Sequence, residues 1–322
     1  AIKFHYQFNL RQLASVFEGL TRSKRDYFTQ PLTLARLWVN EVERVYQDRL
    51  TTDADMTRFN EMIVDVCKKN MDNCGFPFDK LYARPIQFTT FASPSSGVDA
   101  PPYMEAQDAA KVKKSIEDKL NEYNETNAVM NIVLFDQAIE HVCRICRIID
   151  LPRGNALLVG VGGSGKQSLA RLSAFICGYE RFQTTITNNY TIADFKLDLV
   201  TIYQKAGIKN IGICFIFVDG QIVNEKMLMY MNDMLASGKI ADLFAPEERD
   251  DAINGVRSEV KQAGIVDSNE NCFDFYIEKT RKNLHTCLCF SPVGDKFRVR
   301  ARQFPALTAC VTIDWFHPWP HE

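Results

Sequence analysis

The chain opens on a helical rhythm. In FNLRQLASVFEGL, the residues Phe8, Leu10, Leu13, Val16, Phe17 and Leu20 fall near one face of a 3.6-residue period, and Gly19 lies close to the stop. LTLARLWVNEVERVYQDRL repeats the pattern with Leu34, Leu37, Trp38, Val42, Val45 and Tyr46, and MTRFNEMIVDVCKKNM supplies a third helix. Three amphipathic helices joined by short polar turns predict a small helical bundle. After Cys74 the character changes: RPIQFTTFA reads as a short strand and SPSSGVDAPP as a loop. AAKVKKSIEDKLNEYNE then reads as a charged surface helix with Val112, Ile116, Leu120 and Tyr123 turned inward.

From Val129 on, short apolar runs alternate with helical ones. VLFDQAIEHVCRICRIID predicts a helix ended by Pro152, ALLVGV a strand, and GKQSLARLSAFICGY a helix after a glycine-rich turn. TTIT reads as a second strand, TIADFKLDLVTIYQKAG as a helix, and IGICFIFVDG as a strand buried on both faces. EKMLMYMNDMLASG is a further helix whose methionines are core, and HTCLCFSPVG a further strand. This alternation predicts an α/β fold with a mostly parallel sheet.

Composition narrows the class. A hydrophobic share of 46% and a charged share of 24% over 322 residues suit a soluble globular protein of one large or two ordinary domains. A net charge of −2 offers no basic field to nucleic acid or an anionic membrane, and no apolar run is long enough to span a bilayer. Ten irregularly spaced cysteines suggest buried reduced thiols in the cytosol. Cys143 and Cys146 sit on an apolar helix with no second ligand pair at suitable spacing, so they read as core rather than zinc ligands. The chain begins inside an amphipathic pattern and stops without a helix cap, and so reads as a piece of something larger.

The chemistry concentrates at Gly160–Ser168. The run GVGGSGKQS has the spacing G-x-x-x-x-G-K, follows a strand and precedes a helix. Gly160, Gly162, Gly163 and Gly165 let the backbone curl so that successive N–H groups, Ser164 included, point at one phosphate. Lys166 adds positive charge, and so does the positive end of the helix that starts there. The expected ligand is ATP or ADP. The hydroxyl that normally coordinates Mg²⁺ is displaced: Gln167 holds its position and Ser168 comes one residue late, so metal binding is weakened. Asp219, at the end of an apolar strand about fifty residues on, is the expected metal-side carboxylate. Gly220 follows where ATPases of this type carry a glutamate, and Gln221 can orient a water but cannot take its proton. Slow hydrolysis is expected. Ser291 either lies beside the γ-phosphate or simply opens a turn before Pro292. RVRAR at Arg298–Arg302 is either a solvated edge strand or loop, or a source of an arginine reaching a neighbouring site.

GNALLVGVGGSGKQSLARL, the preceding VMNIVLFDQAIEHVCRI and the later CFSPVGDKFRVRARQFPAL…WF resemble the fourth AAA+ module of dynein heavy chains. FHYQFNLRQLASVFEGL and LWVNEVERVYQDRL resemble the helical lid of the third module. The likeness covers nearly the whole chain, thinning over 91–128, and the Gln after the motif Lys is similar to axonemal heavy chains. It implies a lid over residues 1–90, a connector at 91–128 and a P-loop AAA+ large subdomain over 129–322. It further implies that Val133 and Leu134 cover the adenine and that Ser291 is the γ-phosphate sensor. Arg11 would be the lid arginine of the preceding module's site. Cys310 stands where cytoplasmic relatives carry the intermodule arginine, which leaves Arg298, Arg300 and Arg302 as substitutes. The implied parent is a minus-end-directed microtubule motor of ciliary or flagellar axonemes. Its partners are the neighbouring modules, the microtubule, and dynein intermediate and light chains. Two other readings stand beside this one: a stand-alone P-loop kinase or transferase fragment, and a structural remnant that binds no nucleotide.

Overall fold

The computed structural model describes residues 3–71, 74–91, 101–106 and 108–319. Most of the loop expected at SPSSGVDAPP, residues 93–100, lies outside these, as does the end of the chain, 320–322. Two compact units emerge: Ala1–Arg147 with Ile313–Glu322, and Ile148–Thr312.

The first unit holds the three expected helices, α1 (Leu10–Leu20), α2 (Pro31–Val42) and α3 (Asp53–Met71), with a π-turn at Glu43–Gln47. Asn9 starts α1 with a capping box: its side chain accepts from the Arg11 N–H, and its own N–H donates to Gln12. A short α4 (Phe78–Leu81) and a two-residue antiparallel pair, β1 (Phe88–Thr89) with β2 (Met104–Glu105), complete the bundle. The strand expected in RPIQFTTFA is thus only two residues long. Leu37, Val39, Ile63, Cys67, Leu81, Ile86, Phe88 and Tyr103 form the core. Arg36 ties its edge, donating to the carbonyls of Lys80, Leu81 and Ala83 and to Glu105. One expectation is corrected in part. Val16 of the apolar face is buried, but Phe8, Leu10, Leu13 and Phe17 are exposed, and Gln12 and Gly19 lie inward with Val16.

α5 (Ala109–Thr126) buries Val112, Ile116, Leu120 and Tyr123, the stripe read from its spacing. α6 (Asp136–Ile149) buries Cys143 and Cys146, the packing role expected of both. α6 also brings charge inside the unit. Arg147 donates to Glu41 through Nε and Nη2, and Tyr103 donates to the same carboxylate at 3.0 Å. His141 Nδ1 lies 2.7 Å from Asp314, with its ring stacked on Phe316 at 3.8 Å.

The second unit is the α/β part. Its strands are β3 (Ala156–Val159), β4 (Glu180–Phe182), β5 (Ile213–Val218) and β6 (Leu284–Phe290). Between them run α7 (Lys166–Ile176), α8 (Ile192–Gly207), α9 (Lys226–Ala236), α10 (Pro246–Gln262) and α11 (Asn269–Asn283). α12 (Lys296–Gln303) and α13 (Ala306–Ala309) follow, and β7 (Thr312–Trp315) is the segment with which the chain re-enters the first unit. Within this unit the sheet order is β4–β5–β6–β3, and the pairings β4·β5, β5·β6 and β3·β6 are parallel. β3, β5 and β6 are buried at every residue, which is why they read as unbroken apolar runs.

Two further expectations are corrected. TTIT, residues 184–187, is not a strand: the ladder ends at Phe182 opposite Phe215, and the Thr184 carbonyl is taken by the Gln221 side chain. RVRAR is neither strand nor loop but part of α12. Phe297 and Ala301, four apart, give it a buried helical face.

Candidate phosphate-binding site

Because β3, β5 and β6 are parallel neighbours, the loops that leave their carboxyl ends gather on one edge of the sheet, the edge where open α/β sheets bind ligands. The glycine loop leaves β3, Asp219 leaves β5 and Ser291 leaves β6.

The glycine loop is pinned at its root, where the Gly160 N–H donates to the Phe290 carbonyl at 3.1 Å. It then makes a tight turn, closed by the Ser164 N–H to the Val161 carbonyl at 3.3 Å. Gly163 (φ 78°) and Gly165 (φ 76°) occupy the left-handed region that a side chain disfavours. A Cβ on Gly162, Gly163 or Gly165 would meet nothing within 4 Å, so the backbone faces open space. α7 begins at Lys166 with Gly165 as its N-cap and no side-chain cap. Its positive end is therefore presented by backbone alone.

Lys166 is 8% exposed and its ammonium stays inside the loop. It donates to the carbonyls of Gly160 and Val161, both at 2.7 Å, and to the Ser164 hydroxyl at 3.0 Å. None of these partners is a carboxylate. Burial lowers its pKa from the usual lysine value, while Cys289 and Asp219 work in the other direction.

Asp219 opens a 3₁₀ turn, Asp219–Gln221, and accepts the Ser291 N–H at 2.9 Å. The hydroxyl of Ser291 accepts from the Val293 N–H at 3.3 Å, so it serves the turn after β6 while its backbone serves Asp219. Gln221, expected to orient a water, braces the backbone around this turn. It is buried, accepts the Val218 N–H at 2.8 Å and donates to the Thr184 carbonyl. Both ends of its amide are thus engaged by backbone. Gln167 is exposed on the first turn of α7 and Ser168 is half-buried behind it.

In the first unit, Val133 is 78% exposed and Leu134 is buried just ahead of α6, and Arg11 is exposed on α1. In the second, Arg300 pairs with Glu225 at 2.7 Å and Arg298 with Asp295 at 2.6 Å, while Arg302 is exposed and Cys310 half-buried. Glu225 and Thr184 escaped the sequence reading. Each acts on a partner distant in sequence, and only the strand order brings them together.

The profile described as "P-loop containing dynein motor region D4" matches residues 130–322, and that of an "AAA+ lid domain" matches residues 1–81. The chain belongs to the dynein motor region D4 family. It is 56% identical to the dynein beta chain of the flagellar outer arm of Chlamydomonas reinhardtii. It is 50% identical to the ciliary dynein beta chain of Tripneustes gratilla and 48% identical to dynein axonemal heavy chain 17 of Homo sapiens. Each match covers the whole chain but only 7% of the relative's length. The stand-alone kinase reading gives way to this family.

Proposed function

We propose that this chain is a nucleotide-binding AAA+ module of an axonemal dynein heavy chain. It binds ATP or ADP at Gly160, Gly162, Gly163, Ser164, Gly165, Lys166, Gln167 and Ser168, and hydrolyses ATP slowly. The observation that carries the reading is Lys166: a buried ammonium held at the mouth of a bare-backbone glycine loop by carbonyl and hydroxyl oxygens. Such a group is available to polyphosphate, whereas one locked in a carboxylate pair is not.

The donor set fits magnesium in part. Asp219 supplies a carboxylate, and the amide of Gln167 or the hydroxyl of Ser168 an oxygen. The described residues contain no cluster of three metal-binding side chains, so phosphate and water oxygens would complete the shell. Bound there, the ion would neutralise charge on the β and γ phosphates. Gly220 leaves no side-chain base after Asp219, which is why turnover is slow.

The names and high identity of the relatives support placing the parent protein in ciliary or flagellar axonemes, and the proposed parent is a minus-end-directed microtubule motor. In that parent, neighbouring AAA+ modules, the microtubule, and intermediate and light chains are the partners. Nucleotide bound here would favour one packing of adjoining modules over another. The proposed division is a lid over 1–90, a connector over 91–128 and the large subdomain over 129–322, with Val133 and Leu134 at the adenine. Arg11 would serve the preceding module, and Ser291 would sense the γ-phosphate.

Lys166→Ala is the direct test. It should lower nucleotide occupancy in the full chain by at least about tenfold, the loss of a charge-assisted contact to phosphate. Unchanged occupancy would overturn the reading in favour of a remnant that binds no nucleotide.

A further inference from the structure

The three donors of the Lys166 ammonium are not equivalent. Two end on main-chain carbonyls whose positions the fold fixes. Gly160 is anchored to β6 through its N–H to Phe290, and the Val161 carbonyl also closes the turn with Ser164. The third ends on the Ser164 hydroxyl, the longest of the three at 3.0 Å and the only acceptor that can swing about a single bond. Ser164 is itself 4% exposed, so water does not compensate its oxygen if the lysine turns away.

We infer that Ser164 is a positioning residue that competes with polyphosphate for the third donor of Lys166. The inference rests on the nucleotide-binding reading above. A phosphate oxygen entering the loop can leave both carbonyl bonds intact and displace only the serine. The serine therefore holds the ammonium inside the loop, ready to face a ligand, and weakens the ligand's hold by the free energy of the bond it gives up. The ligand class follows: nucleoside di- and triphosphates compete for the donor, and monophosphates, which lack the β-phosphate, do not.

The test is equilibrium binding of fluorescent ADP, ATP and AMP to the full chain, scored for ADP and ATP as the part of the signal that Lys166→Ala removes and for AMP as the whole signal. Ser164→Ala should bind ADP and ATP about three- to tenfold more tightly, the worth of one modest hydrogen bond, and leave AMP unchanged. Ser164→Thr, which restores the acceptor, should bring affinity back toward the wild-type value. A purely structural role predicts the opposite sign, because a damaged loop binds less well. Weaker or unaltered ADP binding in Ser164→Ala overturns the inference. If Lys166→Ala removes no signal at all, the nucleotide reading itself has failed.

Discussion

The carboxylate of Asp219 accepts the backbone N–H of Ser291 at 2.9 Å, tying the loop that leaves β5 to the loop that leaves β6. The tie needs an oxygen acceptor, whereas magnesium needs a charge, and substitution separates the two. Asp219→Asn keeps an acceptor and should be as stable as wild type, whereas Asp219→Ala should lose the worth of the bond, about 1 kcal/mol. Both should lose any difference in nucleotide affinity between magnesium and a chelator. Retention of that difference in Asp219→Asn would remove Asp219 from the metal.

Gly220 is not needed by the backbone. Its φ lies outside the left-handed region, and a Cβ there would meet nothing within 4 Å. Gly220→Glu should therefore fold like wild type, and what it adds is chemical. If a missing base limits turnover, single-turnover hydrolysis should rise at least about a hundredfold, the low side of what a positioned base contributes. An unchanged rate in a correctly folded variant rejects that explanation for slow turnover.

How much of this was legible beforehand depends on how local each signal was. The glycine loop, Lys166 and the apolar strand before Asp219 are contiguous runs, and each stands where its pattern put it. The parallel sheet followed from the strands' fully apolar character. What failed depended on distant partners. TTIT has strand propensity, but the neighbouring strand pairs with Glu180–Phe182 and leaves Thr184 to Gln221. The arginines of RVRAR alternate in sequence, yet Phe297 and Ala301 pack at helical spacing. The apolar stripe of α1 was read correctly as a stripe but assigned to the interior. Of that stripe Val16 is buried, together with Gln12 and with Gly19, which lies against the carboxylate of Glu41.

Glu41 and Arg147 give the first unit its most sensitive point. Both side chains are almost wholly buried and bonded to each other. Burial works to raise the pKa of Glu41, and the Arg147 guanidinium overrides it, so the net direction is down. Glu41→Ala would strand a buried guanidinium and should cost about 3–5 kcal/mol in denaturant unfolding. Replacing the pair together, Glu41→Leu with Arg147→Met, should recover most of that loss, because no lone charge remains. A double variant as weak as the single one would show that shape, not charge, dominates there.

His5 sets a pH limit on the same unit. Its Nε2 donates to the Arg49 carbonyl at 3.1 Å, and its ring stacks on Trp315 at 4.9 Å. Its buried Nδ1 has no hydrogen-bond partner among the described residues. A proton on Nδ1 would be a buried donor with nowhere to go. Burial accordingly lowers the pKa from 6.5 to about 4, with the Arg49 and Lys3 charges adding to it and the Arg49 carbonyl opposing. The unfolded chain takes up its proton near pH 6.5 while the folded one stays neutral. Stability from this group is therefore complete above pH 6.5 and drains away as pH falls toward 4, by at most about 3 kcal/mol. His5→Phe keeps a ring against Trp315 and removes the titration. Its unfolding free energy should fall less steeply than wild type's between pH 6.5 and 4, and parallel curves would show that His5 does not carry the dependence.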